Sequence, residues 1–269
     1  ADWTGRTLGN VTLEGLLGRG NMAEVYRGHD PTRGPVAVKI LRGYLVENDA
    51  SMTRFQAEAQ AVAQIHHPSI VQVYDWGMAE DQPYLVTELV EGPSLAAHLA
   101  NLRYRGQARL PLETTARIIS AVAAALDYAH KQGVVHRDVK PSNVLLRHVD
   151  AHSMQQADAD PVLSDFGVAR IASATLRTGS SFVVGTPAYM SPEQASGGEG
   201  DARSDVYALG VMLYEMVASR LPFGGPSETV AATLVRQISE PPRPLPEAQP
   251  PVQVVVWRAL AKNPADRYE

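Results

Sequence analysis

The stretch from Val134 to Leu146 reads VVHRDVKPSNVLL and concentrates reactive polar side chains between two apolar runs. This pattern predicts a loop held between rigid elements, and the proline within it excludes a continuous helix. A carboxylate, an ammonium group and an amide follow one another there, as Asp138, Lys140 and Asn143. Such groups can orient a hydroxyl, neutralise a phosphate and ligate Mg²⁺, respectively. The combination is suited to phosphoryl transfer.

The composition of the 269-residue chain excludes several other chemistries. Cysteine is absent, so disulfides, thiolate metal sites and a cysteine nucleophile are excluded. A net charge of -5 argues against nucleic acid as a partner. No apolar run reaches membrane-spanning length, and no signal-peptide pattern precedes Trp3. We therefore expect this segment to be soluble and cytoplasmic, without membrane contact.

The polar segment matches the motif H-R-D-x-K-P-x-N, and two further motifs follow it, SDFGVAR at 164–170 and GTPAYMSPEQ at 185–194. On these motifs the chain resembles a Hanks-type serine/threonine protein kinase domain, most closely of the bacterial branch. The resemblance implies an α+β, bilobal fold, with a β-rich lobe over residues 1–90 that contains one key helix. Residues 91–269 would form a mainly helical lobe, with Mg·ATP between the two. The implied activity is transfer of the γ-phosphoryl group of ATP to serine or threonine hydroxyls of proteins, with Mg²⁺ or Mn²⁺.

Apolar alternation over residues 11–41 predicts a three-strand antiparallel meander. The glycine loop at 18–23 then joins strand to strand. A dinucleotide-binding fingerprint needs its loop to open a helix, and no Walker lysine follows, so both of those interpretations are weakened. An ordinary hairpin turn is the alternative. The kinase resemblance makes the loop a nucleotide cover, with Ala23 in place of the third glycine and contacts from Leu17, Gly18, Gly20 and Val25.

Ala37 and Lys39 share one face of a predicted strand because strand side chains alternate. By resemblance, Ala37 leaves room for adenine and Lys39 reaches the α- and β-phosphates of ATP; alternatively the lysine extends to solvent. The apolar periodicity of residues 50–66 predicts a helix, and Glu58 lies on the same face as its apolar residues. A carboxylate on a buried face needs a cation, which the resemblance supplies as Lys39. The alternative is a glutamate at the edge of the stripe that reaches water.

The run from Tyr84 to Val90 predicts a buried strand that ends at a Glu-Gly-Pro linker. The resemblance makes Thr87 the gatekeeper and places the adenine-binding hinge at Glu88 to Val90, with Glu88 and Val90 as contacts. Leu145 is a further implied nucleotide contact. Without the resemblance, Thr87 is simply a β-branched strand residue.

Helical periodicity over residues 112–132, closed by Gly133, predicts the helix that leads into the catalytic loop. After Leu146, the polar stretch 147–161 is longer than the family's usual connection at this point. Its histidines and aspartates could imitate a metal site, but their scattered spacing favours a solvated insertion. A strongly apolar helix is predicted to open at Ser204.

The resemblance assigns roles to the polar motifs. Asp138 would be the base, Lys140 would neutralise the γ-phosphate, and Thr186 would brace both. Asp165 would be the principal Mg²⁺ ligand, with Asn143 holding a second metal. We therefore expect four groups that are distant in sequence to meet around one triphosphate: Lys39, Asp138, Asn143 and Asp165.

A hydroxyl-rich segment lies between the D-F-G and G-T-P motifs. Phosphate on it could pair with Arg137 and order it. The candidate sites, modified in trans within a homodimer, are Thr175, Thr178, Ser180 and Ser181, with Thr178 and Ser180 favoured by the resemblance.

Two contacts away from the reacting groups are also predicted. Asp205 would cap its helix or, by resemblance, anchor the catalytic-loop backbone, and these roles are compatible. Arg267 would pair with Glu193. Because family members continue through the final helix, the sequence is expected to stop within it, and regulatory or membrane-spanning segments could lie elsewhere in a longer parent protein.

Two rival functions remain at this point. A pseudokinase scaffold would generally lack the equivalents of Lys39, Asp138 or Asp165, and all three are present. A small-molecule phosphotransferase would share the nucleotide site but usually lacks the G-T-P and S-P-E segment. Protein kinase activity is therefore the favoured prediction.

Overall fold

A computed structural model describes residues 2–20, 22–42, 49–106, 109–147, 160–166, 187–225 and 228–269. The described chain separates into two compact units, with the boundary between Val90 and Glu91. The first is built mainly from strands and the second mainly from helices, as the α+β prediction requires.

The first unit is a six-stranded sheet in the order β1-β2-β3-β4-β6-β5, with antiparallel neighbours throughout. Its strands are β1 (Thr7–Leu8), β2 (Val11–Arg19), β3 (Ala23–Asp30), β4 (Gly34–Leu41), β5 (Val73–Ala79) and β6 (Gln82–Glu88). The predicted meander is confirmed as β2-β3-β4. The strand predicted from Tyr84 to Val90 has the wrong bounds. It starts earlier because a tight turn at Glu80 and Asp81, both with positive φ, brings Gln82 opposite Ala79.

Alternate residues of the sheet form the core of this unit. On β4, Val36, Val38 and Ile40 are fully buried and pack with an apolar cluster that includes Tyr26 and Val86. Burying each such side chain stabilises the fold by roughly 1.5–3 kcal/mol. The intervening β4 residues consequently face away from that cluster.

Helix α1 (Asp49–Ala63) completes the described part of the first unit. Its predicted apolar stripe is buried: Phe55, Ala59, Val62 and Ile65. Phe55 packs edge-on against Trp76 of β5, with ring centroids 6.1 Å apart. The helix stops three residues short of the predicted end at 66, and Ile65 reaches the core from the following turn.

The second unit contains six α-helices in its described part: α2 (Leu95–Tyr104), α3 (Leu112–Lys131), α4 (Pro192–Ala195), α5 (Ala202–Ala218), α6 (Val230–Ser239) and α7 (Pro250–Ala259). A short hairpin of β7 (Val144–Arg147) and β8 (Asp160–Leu163) accompanies them. Every residue of α5 from Gly210 to Ala218 is buried, so α5 is the core helix of this unit.

Two helix ends bear on the sequence predictions. Helix α3 matches its predicted range to within a residue, and Gly133 follows it with a φ of 77°. Helix α5 begins at Ala202 rather than at Ser204, because the Asp201 carboxylate accepts hydrogen bonds from the Arg203 and Ser204 amides. Asp201 is the cap, so the capping role considered for Asp205 is wrong.

The segment after the unit boundary is pressed against β7. A Cβ on Gly92 would lie 1.9 Å from the carbonyl oxygen of Leu146, so only glycine fits. Beside it, the Leu146 amide donates to the carbonyl oxygen of Pro93 at 2.9 Å. This close approach fixes the strand that continues from the polar loop.

The structure shortens the predicted 147–161 insertion, since Arg147 belongs to β7 and Asp160 and Pro161 belong to β8. Residues 148–159 lie outside the described residues. Among the helices that are described, none has both the length and the apolar character needed to cross a membrane.

Candidate active site

The polar loop of the second unit gathers its reactive groups around one carboxylate. Lys140 Nζ lies 2.7 Å from Asp138 Oδ2, and both side chains are largely buried. Asn143 Nδ2 donates to the backbone carbonyl oxygen of Asp138 at 2.8 Å and to Oδ2 at 3.2 Å. Asn143 lies in a single 3₁₀ turn, Pro141–Asn143, in which the proline suits the first position. Charge-assisted hydrogen bonds therefore fix the orientation of the Asp138 carboxylate.

The backbone of this loop is anchored from α5. The carboxylate of Asp205 accepts hydrogen bonds from the His136 amide at 2.8 Å and from the Arg137 amide at 2.7 Å. His130 Nε2, in the last turn of α3, lies 2.8 Å from the same carboxylate. Asp205 thus makes the anchoring contact that the resemblance implied.

Asp165 is joined to the same loop through its neighbours. The Ser164 amide donates to the carbonyl oxygen of Asn143 at 2.8 Å, and His136 Nε2 lies 2.8 Å from the Ser164 carbonyl oxygen. The His136 ring also packs on Phe166, with centroids 4.5 Å apart. Asp165 itself has a φ of 70°, a left-handed conformation that costs a non-glycine residue about 1–3 kcal/mol. Asn143 and Ser164, the residue directly before Asp165, are therefore held in one hydrogen-bonded network.

The donor set suits a hard divalent cation. Asp165 offers carboxylate oxygens, and Asn143 offers Oδ1, because its Nδ2 is committed to Asp138. Mg²⁺ and Mn²⁺ prefer such oxygen ligands, and Mg²⁺ needs few from the protein when phosphates and water supply the rest. The two residues fit the metal that the resemblance implies.

The segment after the G-T-P motif is tied to the loop and to the unit's core. It forms a 3₁₀ turn, Pro187–Tyr189, followed by α4. Gln194 of α4 donates from Nε2 to the carbonyl oxygen of Arg137 at 3.0 Å. The Tyr189 hydroxyl donates to Glu215 of α5, and Arg103 of α2 lies 2.8 Å from the other oxygen of that carboxylate. Burial, with the Glu215 charge beside it, raises the pKa of Tyr189, so the hydroxyl stays a donor.

The predicted ion pair between Arg267 and Glu193 is present and bidentate. Arg267 Nη1 and Nη2 lie 2.7 and 2.8 Å from the two carboxylate oxygens. Burial alone would raise the pKa of Glu193, but hydrogen bonds from Arg267 and Ser204 outweigh it and lower that pKa to about 2. The pair joins α4 to the C-terminal end of the described chain.

Four of the predicted site residues of the first unit share one face of the sheet: Val25, Ala37, Lys39 and Thr87. Lys39 of β4 lies opposite Val25 of β3 and Leu85 of β6. Ala37 lies opposite Thr87, and both residues are half-buried. This face is the one turned away from the Val36–Ile40 core residues, so the prediction that residues 37 and 39 share a face is confirmed.

The glycine loop joins two strands, as predicted. Gly18 pairs with Val25, and the Gly20 amide donates to the carbonyl oxygen of Ala23 at 2.8 Å. Leu17 is 53% exposed beside them. Glu58 is half-buried on α1, and its ion pair with Lys39 stays a prediction. Glu88 ends β6, and its amide donates to the carbonyl oxygen of Gln72, while Val90 ends the unit.

Several predicted residues lie outside the described residues: Thr175, Thr178, Ser180, Ser181 and Thr186. Conversely, sequence reasoning missed His130, Gln194, Tyr189 and Glu215. Ser191 and Gln194 form a capping box, for which the spacing S-x-x-Q was the available pattern. Nothing local marked the contact of Gln194 with the catalytic loop.

A β-rich unit and a helical unit with an H-R-D loop linked to a D-F-G aspartate are the parts of the protein kinase fold. The chain belongs to the protein kinase family, whose protein kinase domain model matches residues 11–269. The curated relatives that it matches include bacterial serine/threonine-protein kinases, so the predicted family is confirmed.

A probable serine/threonine-protein kinase of Streptomyces coelicolor is 41% identical over 97% of this chain and 38% of its own length. PknB of Mycobacterium leprae is 40% identical over 96% of this chain and 40% of its own length. The crystal structure of the Mycobacterium tuberculosis PknI kinase domain matches with a TM-score of 0.75 at 31% identity, covering 100% of this chain and 94% of that one. The chain therefore spans about two fifths of the curated relatives and nearly all of a solved kinase domain.

Proposed function

We propose that this domain transfers the γ-phosphoryl group of ATP to serine or threonine hydroxyls of proteins, including those of its own hydroxyl-rich segment between the D-F-G and G-T-P motifs. The observation that carries the proposal is the arrangement at Asp138, whose carboxylate is held by Lys140 at 2.7 Å and by Asn143 at 3.2 Å. A carboxylate fixed in this way can accept or orient the proton of an attacking hydroxyl.

Three side chains of this domain have separate roles in the proposed reaction. Asp138 orients the substrate hydroxyl and receives its proton as the oxygen attacks the γ-phosphorus, while the bond between that phosphorus and the bridging β-phosphate oxygen breaks and ADP leaves. Lys140, beside that carboxylate, offsets the negative charge of the transferring phosphoryl group. Asp205 keeps the loop backbone in place by accepting from two of its amides.

Asn143 and Asp165 would hold Mg²⁺ or Mn²⁺, which when bound neutralises charge on the ATP phosphates. Lys39 would contact the α- and β-phosphates and Glu58 would hold Lys39. The adenine contacts would come from Val25, Ala37, Thr87, Glu88, Val90 and Leu145, with the glycine loop at Leu17, Gly18 and Gly20 over the phosphates.

Regulation would follow from phosphorylation of the hydroxyl-rich segment. Thr178 and Ser180 are the favoured sites, and a second copy of the domain would modify them in trans. The added phosphate would pair with Arg137, which directly precedes the proposed base. Thr186 would brace Asp138 and Lys140.

The test is Asp138→Asn, which keeps the shape of the side chain but removes its basicity. Nucleotide binding should persist because the proposed metal ligands remain, while phosphoryl transfer should fall by about 10²–10⁴-fold. Titration calorimetry with an ATP analogue measures the first quantity, and γ-phosphate transfer followed by mass-spectrometric site mapping measures the second.

The matched control is Asp127→Asn, in an exposed ion pair on α3 with Lys131. It should leave both quantities unchanged. Transfer by Asp138→Asn at the parent rate would exclude the assigned role. An unmodified segment after incubation of the active parent with ATP would exclude autophosphorylation there.

A further inference from the structure

Gln237, near the end of α6, has a fully buried side chain whose polar atoms are bonded inside the protein. Nε2 donates to the carbonyl oxygen of Ala188 at 2.7 Å and lies 3.5 Å from that of Pro187. Oε1 accepts a hydrogen bond from the Tyr207 hydroxyl of α5. Burying an amide is unfavourable unless such partners are present. The side chain therefore ties α6 and α5 to the Pro187–Tyr189 turn.

Gln237 is itself held in place. Lys262 Nζ donates to the Gln237 carbonyl oxygen at 2.7 Å and lies 3.3 Å from that of Arg236. The same ammonium group lies 4.0 Å from the ring centroid of Phe223. A cation at the C-terminal end of a helix is favourably placed, so the last turn of α6 is stabilised. The amide of Gln237 thus projects from a rigid support.

The Pro187–Tyr189 turn, which leads into α4 after two intervening residues, is held by Gln237 at its N-terminal end. Its other end is fixed by the hydrogen bond from Tyr189 to Glu215. The α4 helix that follows is linked to the catalytic loop by Gln194 and Arg137. A shift of the turn would therefore be passed through α4 to Arg137, the residue directly before Asp138.

We propose that Gln237 is a positioning residue for the protein substrate. By donating to Ala188 it sets the Pro187–Tyr189 turn, and through the contact of Gln194 with Arg137 it sets how a substrate hydroxyl approaches Asp138. The inference rests on the proposed kinase function. The described hydrogen-bond partners of Gln237 include neither Asn143 nor Asp165, so its loss affects use of the protein substrate and spares nucleotide binding.

The deciding variant is Gln237→Met, which keeps the length of the side chain and removes its donors. The parent and the variant are assayed with two protein substrates, dephosphorylated casein and a tagged Asp138→Asn copy of the domain. We expect kcat/KM for the protein substrate to fall about tenfold, while the Kd of an ATP analogue stays within twofold of the parent value. Tyr207→Phe, which loses only the hydroxyl donor, should show a smaller loss of the same kind.

Gln253→Met is the matched control. Gln253 Nε2 also donates to two backbone carbonyl oxygens, those of Leu245 at 3.0 Å and Ala248 at 2.9 Å, but at the start of α7. This variant should lower Tm but leave unchanged both kcat/KM for the protein substrate and the Kd of the ATP analogue. A general loss of stability would instead reduce the activity of both glutamine variants.

The outcomes of these assays distinguish a failure of the proposed kinase function from a failure of the positioning role of Gln237. A parent domain that binds nucleotide but modifies neither substrate contradicts the proposed function before any variant is compared. If the parent is active, an unchanged kcat/KM in Gln237→Met, or an equal loss in Gln253→Met, overturns the positioning role. If circular dichroism shows that Gln237→Met is unfolded, Tyr207→Phe is the deciding variant. A lower kcat/KM for the protein substrate with an unchanged Kd of the ATP analogue then supports the positioning role, and an unchanged kcat/KM overturns it.

Discussion

Arg267 connects several parts of the second unit through its side chain. Its guanidinium is fully buried, and besides Glu193 it donates to the backbone carbonyl oxygens of Arg203, Lys262 and Ala261. All of its donor groups are used, at distances of 2.7–3.0 Å. A planar fork of this kind cannot be replaced by the point charge of a lysine.

Arg267→Met should therefore lower the free energy of unfolding by about 3–5 kcal/mol, because it leaves the Glu193 carboxylate without its cation in a partly buried position. Urea denaturation followed by circular dichroism measures the change. Lys131→Met, which breaks the exposed pair with Asp127, is the control and should cost less than about 1 kcal/mol. Equal effects of the two substitutions would show that burial of the Arg267 pair contributes nothing extra.

At the scale of elements, the hairpin of β7 and β8 is positioned by the segment that precedes α2. Ser94 forms an isolated bridge with Leu145, and Pro93 accepts from the Leu146 amide. Gly92 allows the two backbones to touch. Since β7 begins directly after Asn143, this contact also helps to hold the catalytic loop in place.

Gly92→Ala should lower the free energy of unfolding by about 1–3 kcal/mol, because the new methyl group overlaps the Leu146 carbonyl and moves the segment off β7. Thermal denaturation of the two proteins measures this. Gly15→Ala is the control, since a Cβ on Gly15 meets nothing within 4 Å. That substitution should be neutral or slightly stabilising, and a comparable loss at both glycines would contradict the argument.

At the scale of the whole molecule, acidic groups with lowered pKa values occur in both units. In the first, side-chain and backbone hydrogen bonds from Thr32, assisted by Arg33, lower the pKa of Asp30 to about 2. In the second, the pKa of Glu193 is also about 2. A carboxyl whose folded pKa lies below its unfolded value stabilises the fold above the unfolded pKa, and this contribution is lost as pH falls through the folded pKa.

The free energy of unfolding should therefore fall as pH is lowered from about 4.5 towards 2. Urea denaturation at a series of pH values between 5 and 2 measures the slope. Asp30→Asn and Glu193→Gln should each make it shallower, by removing one titrating group from one unit. If neither substitution changes the slope, the hydrogen bonds at these two carboxyls do not govern stability in acid.

The sequence by itself was enough to determine the family and the local part of the site. Asp138, Lys140 and Asn143 lie within one short loop, so their spacing alone brings them within hydrogen-bonding reach. The strand meander and the face shared by residues 37 and 39 follow from a period of two. The pairing of Arg267 with Glu193 was accessible only through the family resemblance.

Only the tertiary structure decided which distant side chains hold these groups. Gln237 and Ala188 are 49 residues apart, and Arg103 and Glu215 are 112 apart. On α6 the polar Thr233 and Gln237 are buried while Val230, Val235 and Ile238 are exposed, so apolar periodicity does not mark Gln237 as buried. Its burial and its partner depend on how separate elements pack. The sequence determined which groups can react, and the packing of helices around α5 determined how they are held.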